Sequence, residues 1–195
     1  MIEAKFSRQL EDFLKSKKPK TLQSLEDDFA EKSFAIIFLL LMVIPALPLP
    51  TGGITHIFEI IVMLLALEQV AGRKSLWLPK RWRDKKLPNK LQTSALPALI
   101  KFVSKVEKFA RPRLSGVLNN DISVRLIGLI VFGMTLFAFL APPFSGLDTL
   151  PSLSVVLISL AILFEDMALS IVGLVVGAVG IGLVITLGSL VFRLF

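Results

Sequence analysis

The chain contains no cysteine and a single histidine, His56, in 195 residues. Without thiols there is no disulfide framework, thiolate metal site, haem-attachment motif or cysteine nucleophile. One imidazole cannot build a two-histidine zinc helix. Charge is also scarce over most of the length. Residues 33–71 hold no Lys or Arg and two acids, Glu59 and Glu68. Residues 122–195 hold only Arg125, Asp148, Glu165, Asp166 and Arg193. There is no Gly-rich phosphate loop followed by Lys, no Gly-x-Ser-x-Gly elbow and no dinucleotide fingerprint. Gly180-x-Gly182 lacks the third glycine, because Ile185 stands in its place. With no acid/base or metal constellation in view, no enzyme activity, cofactor or metal is expected.

What is present is apolar sequence and one basic stretch. Hydrophobic residues make up 54% and charged residues 19%, against about 45–50% and about 25% for a soluble domain. Residues 72–121 carry 13 Lys+Arg against 3 acids, which accounts for the net +7 of the whole chain. The positive charge is therefore confined to one segment, and nucleic-acid binding is not expected. Two long apolar blocks flanking a basic stretch read as a membrane protein with one basic side.

The first 18 residues lack the apolar core of a secretory signal. Ile2, Phe6, Leu10, Phe13 and Leu14 recur at helical spacing, which predicts an amphipathic helix on a bilayer or on the protein's own surface. Ser24 with Asp27 three residues on predicts a capping box opening a second short helix. The first apolar run, residues 34–44, spans about 17 Å, roughly half of a 30 Å hydrocarbon core. Pro45, Pro48, Pro50, Gly52 and Gly53 then break it. Residues 54–71 return to the basic segment. This describes either a helical hairpin with its turn at the far surface or two broken helices meeting inside the membrane. Irregular backbone at that depth is tolerated only when buried in protein or lining a wet cavity.

Residues 124–164 repeat the order. An apolar run meets Pro142, Pro143 and Pro151, and a second run ends at Glu165-Asp166. A shift of 97 residues places Pro45 on Pro142, Ile61 on Ile158 and Glu68 on Glu165 without a gap. An internal duplication is expected, and paired Pro/Gly-interrupted segments in two halves point to a transporter-like site. Residues 167–192 form a last span with no counterpart in the first half. Gly173-x-x-x-Gly177 on it allows close helix approach, within the bundle or across a homodimer.

The expected fold is an all-α integral membrane protein. Residues 1–32 form amphipathic N-terminal cytoplasmic helices, and 33–71 a first helix–Pro/Gly break–helix unit. Residues 72–121 form a basic cytoplasmic interfacial segment, 122–166 a second broken-helix unit and 167–195 a C-terminal transmembrane helix. Arg73, Trp77, Arg81 and Trp82 carry the Trp-with-Arg/Lys signature of a membrane interface. Leu96, Leu99, Val103 and Val106, with Lys101, Lys105 and Lys108 off that face, predict an interfacial helix suited to anionic lipid. The positive-inside rule places residues 72–121 in the cytoplasm of a multi-pass inner-membrane protein. Parallel repeats follow if each block goes out and back, inverted repeats if either crosses an odd number of times.

The candidate substrate-binding residues are the polar exceptions: His56, Glu59, Glu68, Gln69, Glu165 and Asp166. His56 and Glu59 share one helical face at i, i+3 and could relay protons or contact a headgroup, or stand in water at the far interface. Glu68 and Glu165 are either a symmetry-related carboxylate pair or acidic helix ends held by Arg73 or Lys74. Arg125 is expected to snorkel to the cytoplasmic surface.

The residues resemble the ExoD family of bacterial exopolysaccharide-synthesis membrane proteins. The likeness begins at Thr21-Leu-x-Ser-Leu-Glu and runs through Phe34, Pro48, Pro50 and Gly52. Its most specific part is Gly72-Arg73 followed by Trp77-Leu78-Pro79. It continues with Pro143-Phe144, Pro151-Ser152-Leu153, and Asp166 with Gly173. Ser33 stands where the family pattern favours Gly, and Glu68-Gln69 where it favours a lone Gln. The resemblance covers residues 20–185 and implies an inner-membrane protein connected with exopolysaccharide production. It carries over no catalytic residue. Three functions are open: handling of a lipid-phosphate or ion substrate between broken helices, a non-transporting scaffold for polysaccharide-synthesis proteins, and cation or proton exchange.

Overall fold

The structure is a computed structural model that describes residues 6–29, 32–47, 54–73, 93, 96–111, 120–142 and 145–194. Described residues form eight helices and no strand: α1 (Phe6–Lys15), α2 (Leu22–Phe29), α3 (Ser33–Met42), α4 (Ile54–Val70), α5 (Leu96–Val106), α6 (Asp121–Leu140), α7 (Thr149–Phe164) and α8 (Met167–Leu194). Trp77, Arg81, Trp82, Pro48, Pro50, Gly52, Gly53 and Pro143 lie outside the described residues.

The N-terminal region packs on the protein itself. Phe6, Leu10 and Phe13 of α1 are buried, and Phe6 and Phe13 each set their rings edge-on to Phe29 of α2, at 5.7 and 5.8 Å. The capping box sits one turn earlier than expected. The Ser24 backbone N–H donates to Thr21 Oγ1 at 3.1 Å, and the Thr21 N–H donates to Ser24 Oγ at 3.0 Å. Thr21 is therefore the N-cap and Ser24 its partner at the third helical position.

The central bundle is antiparallel. α7 lies at its middle, buried along nearly its whole length. On α8, a side chain at Gly173, Gly177 or Gly180 would collide with Ile158, Ser154 or Pro151 of α7 respectively. Each step up α8 matches a step down α7. Ser154 Oγ also donates to the Gly173 carbonyl at 2.7 Å. The face with Gly173 and Gly177, considered above for a homodimer, is covered by α7 of the same chain. α4 and α6 pair in the same antiparallel sense, Gly128 against Gln69 and Phe139 against His56. α3 packs against α7 and α4.

The helix ends follow local chemistry. α3 stops two residues short of buried Pro45, which lacks the N–H to continue it. α4 closes with Gly72 at φ +86°. The Gly72 and Arg73 N–H groups donate to the Gln69 and Glu68 carbonyls at 2.9 and 3.2 Å, a Schellman ending. Pro151 lies in the first turn of α7, where a missing N–H costs nothing.

α5 departs from the interfacial picture. Leu96, Leu99 and Val103 are buried by the protein. α5 packs on α1, and the Arg111 N–H donates to Asp166 Oδ2 at 2.9 Å. The apolar stripe that reads as lipid-facing is used on neighbouring helices.

α6 and residues 167–187 of α8 are long and apolar enough to cross a membrane. The outward faces are apolar as well. Ile57, Ile60, Ile61, Leu64 and Leu67 line one side of α4, with Ile57 and Leu64 each 60% exposed. Ile122, Leu126 and Leu129 continue this on α6, and Val172, Val175 and Val179 on α8. Soluble monomers rarely expose contiguous apolar area on this scale.

Candidate functional site

The six candidate polar residues separate into two groups at opposite ends of the bundle. His56 and Glu59 occupy the first two turns of α4. Their i, i+3 spacing brings His56 Nδ1 to 2.7 Å from Glu59 Oε2. Glu59 is fully buried, and its Oε1 has no hydrogen-bond partner among the described residues. The His56 ring stands edge-on to Phe139 at 5.3 Å, so apolar α6 forms one wall. The expectation of both groups in water does not describe Glu59.

A third group joins them. Asp148, in the turn before α7, lies within electrostatic reach of both Glu59 and His56. Burial pushes the Asp148 carboxyl above its ordinary value, and its own backbone hydrogen bond and His56 pull it back. In sequence Asp148 is one acid among turn residues, and the 97-residue shift pairs it with uncharged Thr51. The available signal was its place in the break opposite the one holding His56. One turn into α7, Ser152 Oγ is also buried without a partner among the described residues. No group of three His, Asp or Glu among the described residues could hold a metal ion.

At the other end, Glu68 and Glu165 differ in backbone state. Glu68 belongs to the last turn of α4. Glu165 follows α7 in the left-handed conformation, φ 55°, which is costly for a side chain with a Cβ. Lys32 reaches Glu165 Oε1 at 3.3 Å. Glu165 is thus an acidic helix end with Lys32 as an ion partner, and Lys74 lies outside the described residues. Gln69 is buried where α4 crosses Gly128. Arg125 lies over Gly72 at the carbonyl end of α4, a favourable position for a cation.

Asp166 is a structural clasp. Its Oδ1 accepts the Ala168 N–H at 3.0 Å, capping α8, and its Oδ2 accepts the Arg111 N–H. Both acceptors are filled by backbone. Asp166→Ala is expected to cost about 1–3 kcal/mol, a lost cap plus an orphaned donor. Asp166→Asn should keep one of the two bonds and lose about half as much. Thermal denaturation in detergent checks this, and equal losses for both variants would contradict it.

Comparison with known proteins gives the family. A family model described as "Exopolysaccharide synthesis, ExoD" matches residues 6–186. The chain belongs to the ExoD family. An uncharacterized protein of Synechocystis sp. is 28% identical over 178 residues, covering 90% of this chain and 80% of its own length. Protein ExoD of Rhizobium meliloti is 28% identical over 149 residues, covering 75% of this chain and 61% of its own length. No solved structure matches. With its apolar outer faces and two helices of spanning length, this ExoD-family chain is a membrane protein of exopolysaccharide synthesis.

Proposed function

We propose that this ExoD-family protein serves exopolysaccharide production by handling protons between the starts of α4 and α7. One observation carries this reading. Glu59 is fully buried, gives one oxygen to His56, and keeps Oε1 without a partner among the described residues. Ionisable groups at such positions in membrane proteins face cavities and mark ion or proton pathways. The charged groups acting on Glu59 are His56 and Asp148. Two carboxylates and one imidazole suit a proton. A lipid phosphate would meet repulsion there, so that form of the proposal loses ground.

The helix bounds support the duplication on which the site is built. Shifted by 97 residues, the end of α3 falls one residue from the end of α6, and the start of α4 two residues from the start of α7. Exchanging the halves converts the α3–α7 pair into the α6–α4 pair, and both pairs pack. The shared direction of α3 and α6 favours parallel repeats, with residues 72–121 on the cytoplasmic side of the inner membrane. α3, at about 15 Å, is half a crossing, which favours a break at depth.

The test is flux in proteoliposomes under imposed proton, sodium or potassium gradients. Wild type should carry protons, and Glu59→Gln should cut the rate by about tenfold or more, as loss of a positioned proton carrier does. No flux under any gradient would remove the ion reading. The competing proposal, docking of polysaccharide-synthesis proteins on residues 72–121, would then gain if charge reversal at Arg81, Arg83, Lys85 and Lys86 abolished their capture.

A further inference from the structure

A groove of about 480 Å³ opens between the end of α3, the outer side of α5 and the first turns of α7. Its lining is apolar: Leu40, Ile44 and Leu47 on the first side, Phe102 on α5, and Leu153 and Val156 on α7. It is open rather than sealed, since Ile44, Leu47 and Phe102 keep 42, 48 and 42% of their surface. The volume lies within the range of about 300–1,000 Å³ usual for small-ligand sites.

The rim is charged on one side. At about 100° per residue, Lys105 projects about 70°, and Lys101 about 110°, from the mean direction of the lining residues Ala98, Leu99 and Phe102. Both lysines are exposed, and both turn away from the buried stripe of Leu96, Leu99 and Val103. Lys101 follows Ala98, and Lys105 follows Phe102, by three residues, so each neighbours a lining residue on the helix surface. Lys105 and Ala98 are separated by about 10 Å along the axis.

We propose that the groove holds an acyl chain of an anionic phospholipid, whose phosphate sits on Lys101 and Lys105. Apolar walls take the hydrocarbon, and the two ammonium groups take the headgroup at the cytoplasmic leaflet. The charge at the mouth selects this occupant over a zwitterionic lipid. The site is separate from the His56–Glu59–Asp148 cluster and does not depend on the ion proposal. It also fits the exposed lysines of α5, whose apolar stripe is used within the protein: they lie on its outer side, beside residues that line the groove.

The full chain in nanodiscs tests this. Phosphatidylglycerol or phosphatidylcholine carrying a photoactivatable acyl diazirine is added at equal mole fraction, and crosslinked peptides are identified by mass spectrometry. Phosphatidylglycerol should label residues 40–47, 98–102 and 153–156 about 30-fold more than phosphatidylcholine. That ratio is ~2 kcal/mol at 1.4 kcal/mol per tenfold, for two basic residues at a membrane surface. Lys101→Gln with Lys105→Gln should bring the ratio near one. Ala98→Trp should remove groove labelling while leaving α8 labelled around Val175 and Val179, and Ala46→Phe repeats the test if Ala98→Trp fails to fold. Equal labelling by both lipids in wild type, or no labelling of these peptides, overturns the proposal. So does capture of another segment of this chain, or of a second copy, by a benzophenone side chain placed at position 102.

Discussion

Gly180→Ala is expected to destabilise the detergent-solubilised protein by about 2–4 kcal/mol, and Gly182→Ala to leave it unchanged or up to about 1 kcal/mol more stable. The two glycines are one half-turn apart on α8. A Cβ at Gly180 would stand 2.7 Å from Pro151 Cδ, 2.8 Å from Leu150 Cβ and 2.9 Å from the Pro151 backbone nitrogen. Carbon atoms rest at about 3.5–4.0 Å. The proline ring and the α7 backbone cannot rotate aside, so the helices must separate. At Gly182 a Cβ meets nothing within 4 Å, and alanine's better helix propensity remains. Gly177→Ala falls between them, at about 1–3 kcal/mol. The new Cβ would come within 2.5 Å of Met134 Cε and Ser154 Oγ. The methionine can repack, but a displaced Ser154 gives up its bond to the Gly173 carbonyl. Denaturation midpoints for the three variants decide the matter. Equal shifts would mean that α8 does not pack on α7 through this face.

The order of these effects could not be read from the chain alone, and the reason is physical. The Gly-x-x-x-Gly spacing is plain in the sequence, but α7 and α8 are apolar on all sides, so neither carries a stripe that names its partner. The runs and breaks were legible because proline and glycine act locally. Pro45 ends α3 and Gly72 ends α4 as their backbone chemistry requires. The amphipathic helices at residues 6–15 and 96–106 were legible as helices, whereas their surroundings were not. A stripe of Leu96, Leu99 and Val103 fits a bilayer and a protein surface equally well. The equivalence of Glu68 and Glu165 failed at the level of the backbone. α7 ends at Phe164 without a glycine, and Glu165 itself takes the left-handed turn that Gly72 takes after α4. For the polar cluster, His56 and Glu59 followed from spacing. Asp148 did not, because its approach to them depends on how α4 meets the start of α7.

His56→Ala is expected to be at least as damaging as the glycine variants, at about 3–5 kcal/mol, because it leaves the fully buried Glu59 without the one hydrogen-bond partner it has among the described residues. For a chain of this length that is a drop of roughly 6–20 °C in midpoint. Glu59→Leu alone should cost much less, since His56 keeps a quarter of its side chain exposed and can turn to solvent. The double variant His56→Leu/Glu59→Leu should recover most or all of the lost stability, as apolar replacements of buried ion pairs commonly do. The single losses would then fail to add, with a coupling of about 2–3 kcal/mol that marks a direct pair. This series also separates structure from function. If the pair only holds the bundle together, the recovered double variant supports wild-type exopolysaccharide output at equal expression. If the pair handles an ion, the same variant is stable and inactive. A double variant as unstable as His56→Ala would mean that the damage arises from the lost contact with Phe139 and not from the stranded carboxylate.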